Sequence, residues 1–155
     1  MRMRLIIPAA VFALSLGVAP SVGATPPTQA TATYDTLLSG SQTPIRTADG
    51  NTTYAFADTF VWMGGISGTA VETGTYTVHS PKLATGRAVE TCSSCTIGGR
   101  TGSFRAVLTF TSNATLTQIH TGHFTFIGAA GGLAGLHGEG TFNAAGLFFS
   151  YHFEP

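Results

Sequence analysis

Between Phe124 and Phe153 the chain alternates rings with small or polar residues on either side of a corner built from Gly131, Gly132, Gly135, Gly138 and Gly140. Glycine at that density lets the backbone turn and approach neighbours where a Cβ would collide. Period-two alternation places one set of side chains on each face of an extended strand. Together they predict a sheet that bends sharply enough to meet itself. Neither glycine nor an aromatic hydrocarbon is a reactive group, so this feature fixes architecture and leaves activity open.

The same period runs through most of the chain. Tyr54, Phe56, Asp58, Phe60 and Trp62 share one face of a strand, with Thr53, Ala55, Ala57, Thr59 and Val61 opposite. Phe104, Ala106, Leu108 and Phe110 repeat the pattern, as do Leu147, Phe149, Tyr151 and Phe153. Turn signals such as Asp49-Gly50, Gly64-Gly65, Ser80-Pro81, Gly98-Gly99 and Ser112-Asn113 punctuate it. The spacing predicts strands over 32–38, 52–63, 67–79, 85–92, 103–112, 115–128, 138–143 and 146–153. No apolar stripe with a helical period follows the N-terminal region. The fold class is therefore all-β: an eight-stranded antiparallel barrel, which leaves no exposed edges, with a two-sheet sandwich as the alternative.

Arg2 and Arg4 precede an uncharged run from Leu5 to Val18, and Val22-Gly-Ala24 supplies the small residues of a cleavage site. Residues 1–24 are expected to be a cleaved export signal, 25–31 a flexible N-terminal segment, and 32–155 the barrel domain of a secreted bacterial protein. A retained anchor is the alternative, though the apolar run is shorter than the ~20 residues of a spanning helix, which argues against stable membrane insertion. In an oxidising compartment Cys92 and Cys95 are expected to form a disulfide across a short loop. A redox pair would sit at a helix N-terminus, and a zinc knuckle would need a second such pair, which the sequence lacks.

With 43% hydrophobic and only 9% charged residues, the chain must bury a core and surface itself with Thr and Ser. Beyond residue 24 the basic side chains are Arg46, Lys82, Arg87, Arg100 and Arg105, too scattered to grip phosphates, so nucleic acid is excluded as a partner. No Gly-x-Ser-x-Gly elbow and no phosphate-cradling loop before a helix appears, so neither a hydrolase nor a cofactor is indicated. His120 and His123 stand three apart, which on a strand turns them to opposite faces, and no metal site is expected. By parity His120 joins Phe124 and Phe126 on the inner wall.

Asp58 is the most pointed polar residue, because it alternates with rings. A carboxylate on an apolar face is either paired, with Arg105 for example, or carries a raised pKa that suits it to proton transfer. Glu72, on the face of Tyr76 and Val78, stands in the same position, and these two are the candidate catalytic residues. Tyr54, Phe56, Asp58, Trp62, Phe110, His120 and Phe126 are the candidate ligand-binding set. In a barrel of eight strands the interior either fills with side chains or holds one small molecule.

The stretch Gly131-Gly-Leu-Ala-Gly-Leu-His-Gly-Glu-Gly-Thr-Phe142, with Gly99-Arg-Thr-Gly-Ser-Phe104 before it and Phe149-Ser-Tyr-His-Phe153 after it, resembles an uncharacterised bacterial family with the allene-oxide-cyclase-like barrel. Phe60-Val-Trp-Met-Gly-Gly-Ile-Ser-Gly68 and Gly74 extend the resemblance over Thr53 to Phe153. Plant allene oxide cyclases and dirigent proteins share the Gly-Gly-x-x-Gly turn, and the resemblance implies an apolar, aromatic-lined cavity. The polar residues that cyclases place near the first strand are not reproduced in Thr31–Leu38 or Ser41–Pro44, so activity does not carry over with the fold. Three roles follow as expectations: binding of a small apolar or amphipathic molecule, an isomerase or cyclase using Asp58 or Glu72, and an extracellular interaction module, oligomeric through outer-face residues such as Leu147 and Val107.

Overall fold

A computed structural model describes residues 26–154; the expected export signal lies outside them. Eight strands follow one another around a closed antiparallel ring, each paired with its sequence neighbours. They are β1 (Thr28–Ala48), β2 (Asn51–Gly64), β3 (Ile66–Ser80), β4 (Leu83–Ile97), β5 (Arg100–Ser112), β6 (Ile119–Gly131), β7 (Leu136–Asn143) and β8 (Gly146–Phe153). Closure between β1 and β8 excludes the two-sheet sandwich. That seam is short, running from Thr28↔Tyr151 to Ala32↔Leu147. The stretch expected to be a flexible N-terminal segment therefore supplies, from Thr28 onward, the rungs that close the ring.

The interior is ordered in lateral rows that the strand registers define. One row runs Tyr54, Tyr76, Gly86, Phe110, Gly122, Phe142, Leu147; the next runs Phe56, Gly74, Ala88, Leu108, Phe124, Gly140, Phe149. Glycine or alanine interrupts the large side chains along both, because rings cannot occupy every adjacent inward position in so narrow a barrel. The rings of Phe110, Phe126 and Phe142 lie directly over Gly86, Gly138 and Gly122, their own cross-strand partners, where any Cβ would strike the ring. Such pairs give the ring a flat seat and spare the glycine's backbone from water. Outside, threonines dominate and pair across strands, as in Thr53 with Thr77 at 2.9 Å and Thr96 with Thr101 at 2.8 Å.

The glycine corner after β6 stoppers one end. Gly131 (φ 69°) and Gly135 (φ 75°) take the left-handed conformation that glycine tolerates. This folds Leu133 and Leu136 inward until both are fully buried. They meet Phe104, Phe124, Phe126 and Phe149, whose rings pack with centroids 5.7–6.3 Å apart, and this half of the barrel is filled.

Several expectations need correction. Cys92 and Cys95 do form a disulfide, but inside β4, where they bracket a register shift against β5 instead of a connecting loop. Both are buried, and Cys95 Sγ packs where a side chain at Gly68 would stand. β6 begins at Ile119, because 113–118 form a hydrogen-bonded loop in which Asn113 and Gln118 bond to one another. Leu147 faces the interior, only 7% exposed, whereas Val107 does lie outside.

Two stability predictions follow. Reducing the disulfide should lower the unfolding free energy by at most about 2 kcal/mol, since so short a loop constrains the unfolded chain little; chemical denaturation with and without reductant checks it. Gly138→Ala should cost about 1–3 kcal/mol, because the added methyl displaces the Phe126 ring from its seat.

Candidate functional site

Away from the leucine stopper the barrel is hollow. A cavity of about 810 Å³ lies between β1, β2 and β3 on one side and β5, the β5–β6 loop and the β7–β8 turn on the other. It opens where β1, from Thr33 onward, has left β8 and pairs with β2 alone. Phe56, Phe60, Trp62, Leu108 and Phe110 form its apolar wall. Leu116 hangs over the mouth from the β5–β6 loop, in a left-handed conformation (φ 56°) that costs a branched side chain energy and persists because the loop holds it.

The third lateral row breaks the ring-and-glycine rule. Its inward positions on β2, β3 and β4 are Asp58, Glu72 and Glu90, consecutive cross-strand partners, before Ala106, Phe126 and Gly138 resume the packing pattern. Directly opposed like charges destabilise a sheet, so these positions resist being ionised together. Burial pushes Glu72 up to about 8, helped by the neighbouring charges of Glu90 and Asp58. Burial raises Glu90 to about 7 against the opposing pull of Trp62, whose Nε1–H donates to Glu90 Oε1 at 2.7 Å and favours the ionised form. Asp58, nearer the opening, is raised by the same desolvation. Tyr34, across the mouth, is raised by burial first and then by the charges of Asp58 and Glu72.

Glu90 is 3% exposed and held by Trp62; Asp58 and Glu72 line the cavity, and the surface Glu72 keeps is turned into it. Among the described residues no hydrogen bond or ion pair restrains either of these two carboxylates; Arg105, the partner considered for Asp58, lies on the outer face. Among the residues lining the cavity there is no Lys, Arg or His. At the mouth Tyr76 donates its hydroxyl to Gln42 Oε1 at 2.7 Å, bridging β3 to β1, while Tyr54 stacks on Tyr76 with centroids 5.0 Å apart.

Of the residues singled out from the sequence, Phe56, Asp58, Trp62, Phe110 and Glu72 come together on this cavity. Tyr54 supports it from behind Tyr76, and Phe126 belongs to the filled half. His120 is a correction: the β5–β6 register shifts between Thr111↔Thr121 and Ser112↔Ile119, so Ile119 takes the inward place and His120 is exposed. Phe60 and Leu108, read as inward but not as ligand-binding, join the site, and residues not foreseen are Tyr34, Gln42, Leu116 and above all Glu90. His137 and His152 stack 5.6 Å apart beside Glu154 on the outer face and take no part. A second, more open hollow of about 640 Å³ crosses the outer faces of β5 to β8 past His123 and Glu139, and none of the buried carboxylates faces it.

No family model and no curated protein matches the sequence. Among solved structures, the chain is similar to a protein of unknown function from the DUF3224 family of Shewanella oneidensis MR-1, with a TM-score of 0.61 and 21% identity. The match covers 83% of this chain and 98% of that one. At that identity the likeness establishes a shared all-β fold, with a domain of unknown function, and nothing about chemistry.

Because the folded state holds protons on Glu72 and Glu90 that the unfolded chain releases in the ordinary carboxylate range, their contribution to stability is complete below about pH 4 and is lost as pH climbs through 7 and 8. The unfolding free energy should fall by several kcal/mol between pH 5 and pH 9. Glu72→Gln should flatten that slope and stabilise the protein at pH 9; denaturant titrations at both pH values check it, and a slope unchanged by the substitution would contradict it.

Proposed function

We propose that this protein is a secreted barrel that takes a small amphipathic molecule into its open half, its apolar body against Phe56, Phe60, Trp62, Leu108 and Phe110 and its polar end toward Asp58 and Glu72. The observation that carries the reading is the cavity itself: about 810 Å³, walled by rings and holding a few convergent polar groups, the size and make-up of small-molecule sites in general. A core meant only for stability would fill that space, since voids of this kind destabilise. The Cys92–Cys95 disulfide supports an oxidising compartment.

Trp62 is the chain's single tryptophan, so its emission reports the cavity without ambiguity. Titration with a panel of lipids and aromatic metabolites should produce a saturable change in intensity for at least one class. Phe60→Ala, which removes part of the wall, should weaken that response about tenfold or more. A flat response to every class would remove the reading.

A second reading, an isomerase or cyclase of the allene-oxide-cyclase type, is favoured by one specific observation: both candidate carboxylates line the cavity. Their surroundings differ, Asp58 standing nearer the opening and Glu72 deep enough to hold its proton at neutral pH. A base and an acid on adjacent strands suit removal of a proton from one atom of a bound molecule and its return at another. For any ligand found to bind and to rearrange, Asp58→Asn should abolish turnover while the ligand still binds. Equal turnover in the variant rejects the mechanism and leaves the binding site in place.

A further inference from the structure

From the composition of the same cavity we infer its ligand class: an organic cation, an alkylated ammonium carrying an apolar body. The inference rests on the binding reading above and narrows it. Tyr34, Phe60 and Trp62 pack together on the cavity wall, Tyr34 tilted by 33° on Phe60 at 5.3 Å and Trp62 at right angles to both, 5.1 Å from Phe60 and 6.5 Å from Tyr34. Tyr34, half exposed at the opening, presents an electron-rich ring of the kind that receives an ammonium group. The indole is fixed in place by its hydrogen bond to Glu90.

Beside these rings stand Asp58 and Glu72, both half-buried on the cavity wall and, among the described residues, neither with a hydrogen-bond or ion-pair partner. An ionised acid on an apolar wall is costly without a counter-ion, and no basic side chain lines the cavity to supply one. A bound cation supplies the missing charge. An anionic amphiphile would instead meet carboxylates with no compensating donor. A bare metal ion fits less well, since among the described residues no three His, Cys, Asp or Glu side chains converge to hold one, and rings contribute no ligand atoms to it.

The titratable groups that face Glu72 are Asp58 on β2, Glu90 on β4 and Tyr34 on β1. None is basic, so the site gains negative charge as pH rises and a permanent cation should bind more tightly with it.

The probes are phenoxyethyltrimethylammonium and its uncharged carbon isostere, 3,3-dimethylbutyl phenyl ether, titrated calorimetrically into the full mature chain at pH 5.5 and pH 8.5. The cation should bind about tenfold or more tightly than the isostere at pH 8.5, with a smaller advantage at pH 5.5. Glu72→Gln should reduce that advantage at pH 8.5 and leave the isostere unchanged; Asp58→Asn provides the same comparison should the first variant fold poorly. Equal affinities at pH 8.5, or an advantage that neither substitution reduces, would overturn the cation inference while leaving the cavity as a binding site. Failure of both probes to bind in the unsubstituted protein, with no response from the broader panel, would overturn both.

Discussion

The seating of rings on glycines is the constraint from which the rest of this structure follows. An eight-stranded barrel has room for roughly one large side chain per pair of facing positions, and here the division is made between hydrogen-bonded neighbours. Phe110 covers Gly86, Phe142 covers Gly122, and Phe126 covers Gly138. Each pairing fixes strand register as well as volume, because slipping by one residue would turn the ring to the outer face. The same chemistry, carried into the corner at Gly131 to Gly135, lets Leu133 and Leu136 close one end.

The hollow end exists because that packing rule is suspended along one row. Asp58, Glu72 and Glu90 occupy inward positions that elsewhere hold a ring or an alanine. They fill less space than rings and carry charges that the interior does not compensate. A fold selected for stability alone would replace them with apolar side chains of similar volume, a change that is commonly neutral or favourable. Trp62 ties one of the three to the aromatic wall, so wall and acids form one unit. Buried carboxylates with displaced pKa values in a concave, ring-lined site are a recurrent mark of function.

Much of this was legible from alternation alone. The inward faces of β2, β5 and β8 follow directly from their parity, which is why Phe56, Asp58, Trp62 and Phe110 were recognisable as one set. Glu90 was not, since Ala84, Gly86, Ala88 and Cys92 flank it on its face and small residues give no hydrophobic signal. β1 was underestimated for the opposite reason: it runs 21 residues, nearly all exposed after Ala32, and an exposed strand carries no inward stripe to read. His120 was misplaced because one irregular rung between β5 and β6 reverses parity, and bulges leave little trace in a single sequence. The cavity itself is a difference between enclosed volume and side-chain volume, which requires the registers to be known.

A carbon-13 NMR titration of the Glu72 and Glu90 side-chain carboxyls measures most directly whether these two acids sit in the barrel interior. Midpoints near 8 for Glu72 and near 7 for Glu90 are the expected result, with the Trp62 indole proton responding in step with Glu90. Titration of both in the ordinary range of about 4 would mean that these carboxyls face water, and the acid-lined interior would have to be abandoned.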